Sequence, residues 1–246
     1  MAQGYTQFGF GENDGAIGKK GKRFKMDKNE EARISFLWWP GLDKGTPDFK
    51  AQTPIFVGGP RHYMKGVGYF MNNGPEFTKI AGEAPKTRIC TLIVKWPLKA
   101  GGKLDSEAIA AGHFDVLYWV FDDGKYDEIK PIHNEWHFGT CDLKIKCSDS
   151  QFQKMSFSPT KESILLKLAE KPGNPLWQNL MSQAQTMILA AQDEVGRNMT
   201  IDQIREKLAG GGGGPMAGGG GGGGGGAVAA GTSEDMDDAL DKFLAD

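Results

Sequence analysis

The residues best suited to chemistry in this chain are cations interleaved with flat rings. Lys19, Lys20, Lys22, Arg23, Phe24 and Lys25 come first, Trp38 and Trp39 follow, and then Arg61, Tyr63, Lys65, Tyr69 and Phe70. A single nucleic-acid strand is bound by this mixture. Ammonium and guanidinium groups follow the phosphates, and rings stack on bases without reading their sequence. Residues 19–28 hold six basic residues and one acid. Such a run is also how a solvated face reads, but Phe24 lies inside it and a strand pattern follows directly. Trp38 and Trp39 are neighbours, as are Tyr69 and Phe70. On a strand, neighbours point to opposite faces, so one ring of each pair belongs to the core. The pattern does not say which, and Trp39 and Tyr69 are taken as the candidates. Lys144 and Lys146 share the outward face of a strictly alternating stretch. The candidate nucleic-acid contacts are therefore Lys19, Lys20, Lys22, Arg23, Phe24, Lys25, Trp39, Arg61, Tyr63, Lys65, Tyr69, Lys144 and Lys146.

Other chemistries find weaker support. His133-Asn-Glu135-Trp-His137 with Cys141 and Cys147 is the only cluster of metal-ligand types. It is not the His-Glu-x-x-His zinc arrangement, because Glu135 lies midway between the histidines. His133-x-Glu135 matches half of a zinc deaminase signature, which also needs Pro-Cys-x-x-Cys. Here the cysteines are six apart and alternate inward with Leu143 and Ile145, which leaves Asp142, Lys144 and Lys146 outward. Gly11–Lys20 fails as a phosphate loop: Asn13 stands where the first glycine is needed and Lys20 where Ser or Thr would hold magnesium. No nucleophile elbow and no acid pair is found. The expectation is a protein without enzymatic activity, cofactor or metal.

The elements that must position these residues are mostly strands. Ile34–Trp39, Pro54–Val57, Arg88–Trp96, Phe114–Phe121, Cys141–Cys147 and Phe152–Phe157 are β-branched, aromatic or alternating, and glycine or proline turns bound several of them. The glycines around Tyr69 and Phe70 suggest a bulged or strongly bent strand between Arg61 and Met71. Helical patterns come afterwards. Residues 161–170 carry Ile164, Leu165 and Leu168. Asn174-Pro175 is an N-cap with a first-turn proline, and Thr200-x-x-Gln203 is a capping box. The fold class expected is mainly β: a small OB-fold-like barrel with appended C-terminal helices and a disordered, glycine-rich acidic tail. The divisions are a mobile basic arm at 1–30, a barrel at 31–158, a helical segment at 159–209, a linker at 210–231 and a tip at 232–246. The helices either pack on the barrel or pair between subunits, so a homo-oligomer stays open.

The tail has its own logic. Of the 17 residues 210–226, 14 are glycine, which loses the most entropy on ordering and buries nothing. From Thr232 the tip holds six acids against Lys242. Met236, Leu240, Phe243 and Leu244 fall on one helical stripe. The tether gives the tip a reach of about 25 Å. Without the tip, 28 basic face 25 acidic residues, although the whole chain of 246 carries a net charge of −2. A basic body with a tethered acidic peptide suits a polyanion ligand. No apolar run is long enough to span a membrane, and the first residues lack the basic-then-apolar pattern of a leader. Three cysteines are too few for a disulfide framework and fit a reducing compartment.

The layout resembles the single-stranded DNA-binding proteins of bacteriophages. The resemblance is carried by the tip Asp235–Asp246, the glycine tether, and Cys141–Phe157, which is similar to the closing strands of such proteins. It implies an OB-fold body and sequence-independent binding of single-stranded DNA in phage replication, recombination or repair, in the cytoplasm of the infected host. It also implies a tip that shields the DNA groove and recruits replication, recombination or transcription proteins through Asp237, Asp238, Leu240, Asp241, Phe243 and Leu244. Two features depart from the family: no zinc subdomain is supported, and the tip ends in Phe-Leu-Ala-Asp rather than in the aromatic. The alternative function is a strand-binding transcription cofactor that recruits an RNA polymerase. An RNA-binding module would use the same residue types.

Overall fold

The computed structural model describes residues 23–150, 152–194 and 197–209. Ala32, Ile34 and Phe36 alternate with Glu31, Arg33 and Ser35 and form β1 (Glu31–Phe36), its apolar set buried. The chain leaves the sheet through a 3-10 turn at Leu42–Lys44 and returns as β2 (Val57–Met64), which forms a hairpin with β3 (Gly68–Met71). There follow α1 (Pro75–Ala81), β4 (Lys86–Trp96), α2 (Ser106–Ala110), β5 (Asp115–Phe121), α3 (Asp123–Trp136), β6 (Leu143–Cys147) and β7 (Met155–Pro159). Then come α4 (Ile164–Ala169), α5 (Pro175–Glu194) and α6 (Ile201–Ala209). Among the described residues no helix is long and apolar enough to cross a membrane.

The seven strands among the described residues make one antiparallel sheet built on β4. One edge of β4 pairs with β5 over residues 89–95. The other edge takes β2 at residues 86–90 and β1 at 93–96, so β1 and β2 lie end to end along it. Residues 37–56 are an excursion between them, pinned where the Leu37 N–H donates to Leu92 O and the Ile55 N–H to Trp38 O. The far edge of β1 carries β6, and β6 carries β7. Among the described residues no ladder joins β5 to β7, so the sheet is open. It is nevertheless curled: the rings of Trp119 on β5 and Phe157 on β7 are 6.2 Å apart. Phe24 closes the gap, with its ring 5.7 Å from Trp119 and 5.4 Å from Phe152 and its N–H bonded to Tyr118 O.

Several expectations are corrected by this arrangement. β1 ends at Phe36, so alternation does not govern Trp38 and Trp39, and both are buried. The indole N–H of Trp39 donates to Phe36 O at 2.7 Å. The stretch from Arg61 to Met71 is a hairpin rather than one bent strand, with Gly66 and Gly68 at φ 87° and 90° in and beside the turn. Helices are not confined to the C-terminal third: α1, α2 and α3 lie between strands. Asp122-Asp123-Gly124 reads as a turn, but the Asp122 carboxylate accepts from Lys125 N–H and caps α3. Asp142 is buried, although its position in the alternation is an outward one. The outward exposure of Lys144 and Lys146 and the burial of Cys141, Leu143, Ile145 and Cys147 agree with the alternation. The caps also agree: Asn174 accepts from Leu176 N–H, and Thr200 and Gln203 bond reciprocally.

Among the described residues Gly58 and Gly139 are required by contact rather than by conformation: a Cβ on Gly139 would lie 2.1 Å from the carbonyl oxygen of Phe49. A Cβ on Gly58 would lie 2.2 Å from the carbonyl oxygen of Arg88 on the neighbouring strand. Gly58→Ala should push β2 away from β4 and cost about 1–3 kcal/mol, read as a lower urea midpoint.

Candidate nucleic-acid interface

The β2–β3 hairpin builds the site. Tyr63 and Tyr69 are register partners, so they project from the same face. Their ring centroids are 5.0 Å apart, and they are 52 % and 39 % exposed. Aromatic rings this open on a sheet face are not core residues. Arg88 of β4 faces Gly59 of β2, which has no side chain to block it. Its guanidinium reaches across and lies 3.9 Å over the Tyr69 ring. A flat cation on one side of Tyr69 fixes that ring and leaves the Tyr63 ring beside it. Lys86, two residues earlier on the same face of β4, is exposed, as is Lys65 in the hairpin turn. The result is a platform of two tyrosines with Arg88 over one ring, and with exposed lysines at Lys86 on the adjoining strand and at Lys65 in the turn.

Arg61 does not join it as a free cation. It is 6 % exposed, one of its nitrogens donates to Pro60 O at 3.0 Å, and burial lowers its pKa from the ordinary arginine value. Arg88 and Lys86 take its place and were missed in the sequence. They sit at the start of a strand that reads as core, and only the register with Gly59 and Arg61 shows which way they face. Phe24 and Trp39 are also removed from the candidate contacts, because both are fully buried and cannot meet a base. Of the six tryptophans only Trp136, at the end of α3, is substantially exposed. Arg23 and Lys25 are exposed on either side of Phe24. Lys19, Lys20 and Lys22 lie outside the described residues, as do Asp237, Asp238, Leu240, Asp241, Phe243 and Leu244.

Lys144 and Lys146 form a separate patch. Through β1 they fall on the same sheet face as Arg88 but at the other end of β4, and Cys90, Leu92 and Val94 between them are fully buried. Lys146 also pairs with Glu31 at 3.0 Å, an exposed pair of small energetic weight.

The histidine cluster is structural. His133 Nε2 donates to Gln52 O at 2.6 Å while its Nδ1 accepts from Phe138 N–H at 3.0 Å. His137 repeats the pattern with Ala51 O at 3.0 Å and Gly139 N–H at 3.3 Å. Both ring nitrogens of each are used, so neither imidazole has a lone pair left for a metal. They staple the end of α3 to the 37–56 excursion, and Trp39 stacks on His137 at 5.7 Å. Cys141 faces the core, and burial pushes its thiol up to about 11.

Burial holds His133 below the ordinary value of 6.5, with the neighbouring His137 adding to the effect against the Gln52 bond. Because the folded pKa is the lower one, its contribution is complete above pH 6.5 and is lost as pH falls through the folded value. The thermal midpoint should therefore drop between pH 7 and pH 5, and His133→Gln should flatten that part of the profile.

Comparison of the chain with known protein families, with curated proteins and with solved structures finds no match.

Proposed function

We propose that this protein binds single-stranded DNA without regard to sequence, as a coat protein in phage replication, recombination or repair, and that its acidic tip recruits partner proteins and competes with DNA. The observation that carries the reading is the exposed pair Tyr63–Tyr69 with Arg88 over Tyr69, and with exposed lysines at Lys86 on the adjoining strand and at Lys65 in the turn. Two adjacent rings accept unpaired bases, whose stacking faces a duplex hides, and three cations stand where a backbone would pass.

We also read the curled sheet as an OB-type barrel. What supports this is the order β1, β4, β5, helix α3, β6, β7, with β1 joining β4 to β6 and the rings of β5 and β7 in contact. In such barrels the connection between the first two strands is a ligand-binding loop. Here that connection is residues 37–85, which carry the tyrosine hairpin.

A salt series tests the electrostatic part. Neutralising three phosphates on a single strand gives a slope of about −2 in log affinity against log salt. Affinity that does not change with salt would overturn the reading.

A further inference from the structure

The hairpin that carries the platform starts on the main core at Val57, but its turn end rests on a core of its own. Phe70, Phe77, Met199 and Ile204 form a second buried cluster, separate from the large one. Its members come from β3, α1, the segment before α6, and α6 itself. The segment joins β3 at the residue that bears a stacking ring: Arg197 N–H donates to Tyr69 O at 3.2 Å, and Met71 N–H donates to Arg197 O at 3.1 Å. Asn198 also accepts from the side-chain amide of Asn73 at 2.7 Å. The capping box of Thr200 and Gln203 satisfies the start of α6. Nine residues are still too few for a helix to hold by itself, so α6 depends on burying Ile204 against the hairpin.

This small core is the weaker of the two. Among the described residues it buries four hydrophobic side chains where the main cluster buries dozens. Against it lies His62, 1 % exposed, its ring 5.5 Å from that of Phe70. Its Nδ1 meets no hydrogen-bond partner among the described residues, which is a cost to the folded state. A unit of this kind opens before the rest of the domain does.

We propose that residues 197–209 act as a clamp whose seating on β3 is thermodynamically coupled to single-strand binding at Tyr63 and Tyr69. A strand stacked on the two tyrosines holds β3 in place, and β3 held in place seats α6. By reciprocity the seated helix strengthens binding by the same factor. The chain passes from Ala209 directly into the glycine tract and the acidic tip, so occupancy of the platform governs how firmly the root of the tail is held. This inference rests on the proposed strand-binding function and adds a regulated element to it.

Hydrogen exchange of the full chain with and without oligo-dT tests the coupling, together with oligo-dT affinity for Ile204→Ala and Ile204→Val. Binding should slow exchange across 201–209 by about tenfold, and Ile204→Ala should weaken binding by about tenfold, within the 5–150-fold range of site–site couplings. Ile204→Val should restore most of the affinity. The second cluster contains no tryptophan, whereas Trp38, Trp39, Trp96, Trp119 and Trp177 are all in the main one. Tryptophan emission therefore reports whether the main body of a variant is folded, and exchange in the unmutated chain remains decisive if it is not. Oligo-dT binding with unchanged exchange over 201–209 would overturn the coupling and leave the binding function standing. Failure of the unmutated chain to bind oligo-dT at low salt would remove both.

Discussion

Replacing Tyr63 and Tyr69 together by alanine should weaken oligo-dT binding by about 30-fold to 10⁴-fold, since each base–ring stack is worth about 1–3 kcal/mol. The loss should occur without unfolding. Both rings stand on the open face of the hairpin, and losing their cross-strand pair and the Arg88 contact should cost only about 1–2 kcal/mol of stability. Phenylalanine at both sites should keep most of the affinity, because stacking uses the ring and not the hydroxyl. Arg88→Lys should fall between: it keeps the charge but loses the flat group that lies 3.9 Å over Tyr69. Trp39→Ala and Phe24→Ala make the contrast. Both rings are in the core, and their loss should cost about 3–5 kcal/mol of stability. Affinity per folded molecule should change little. Titration of each variant, with its folded fraction measured in parallel, separates the two groups.

Asp142→Ala should be among the most destabilising single changes in the chain, at about 3–5 kcal/mol. The carboxylate is fully buried and accepts from Arg33 Nε at 2.8 Å, from the Ser35 hydroxyl and from Ile164 N–H. Ser35 in turn accepts from the indole of Trp96 at 2.7 Å. Burial pushes the carboxyl up, and Arg33 and the hydrogen bonds pull against it. One side chain thus ties β1 to the start of α4, and β1 through Ser35 to the end of β4. Removing it leaves a largely buried guanidinium without its counter-charge and a hydroxyl without its acceptor. Asp142→Asn should recover part of the loss by keeping an oxygen for Ser35 or Ile164. A urea titration of the three proteins gives the comparison.

The strands were largely legible because their pattern is local. Arg88–Trp96, Phe114–Phe121 and Cys141–Cys147 each carry enough β-branched, aromatic or alternating residues to identify themselves, and β4, β5 and β6 follow within a few residues. Helix starts were legible where a cap stood beside a helical period, as at Asn174 and Thr200. α3 was hidden because Gly124 follows its cap and Pro131 interrupts it. α1 was hidden because Gly74-Pro75 also reads as a turn, although a proline at the first helical position favours a helix. The burial of Asp142 depends on residues 160–164 folding over it, which no pattern near Asp142 could indicate. The site was half legible for the same reason. Tyr63, Tyr69 and Lys65 lie close together in the sequence, and the interleaving of rings with cations singled them out, but only the register of the hairpin shows that Tyr69 rather than Phe70 faces outward. Arg88 and Lys86 join them only through the pairing of β2 with β4. Arg61, Phe24 and Trp39 have the right residue types, but tertiary packing covers them.

Whether the tyrosine pair binds a single strand is decided by equilibrium titration of the full chain with labelled oligo-dT by fluorescence anisotropy, at low salt and across a salt series, beside the Tyr63→Ala/Tyr69→Ala protein. Strand binding on the two tyrosines requires affinity in the unmutated chain that weakens as salt rises, and a loss of at least about 30-fold in the double variant with its fold intact. Equal affinity of the two proteins, or no binding by either at low salt, would contradict it.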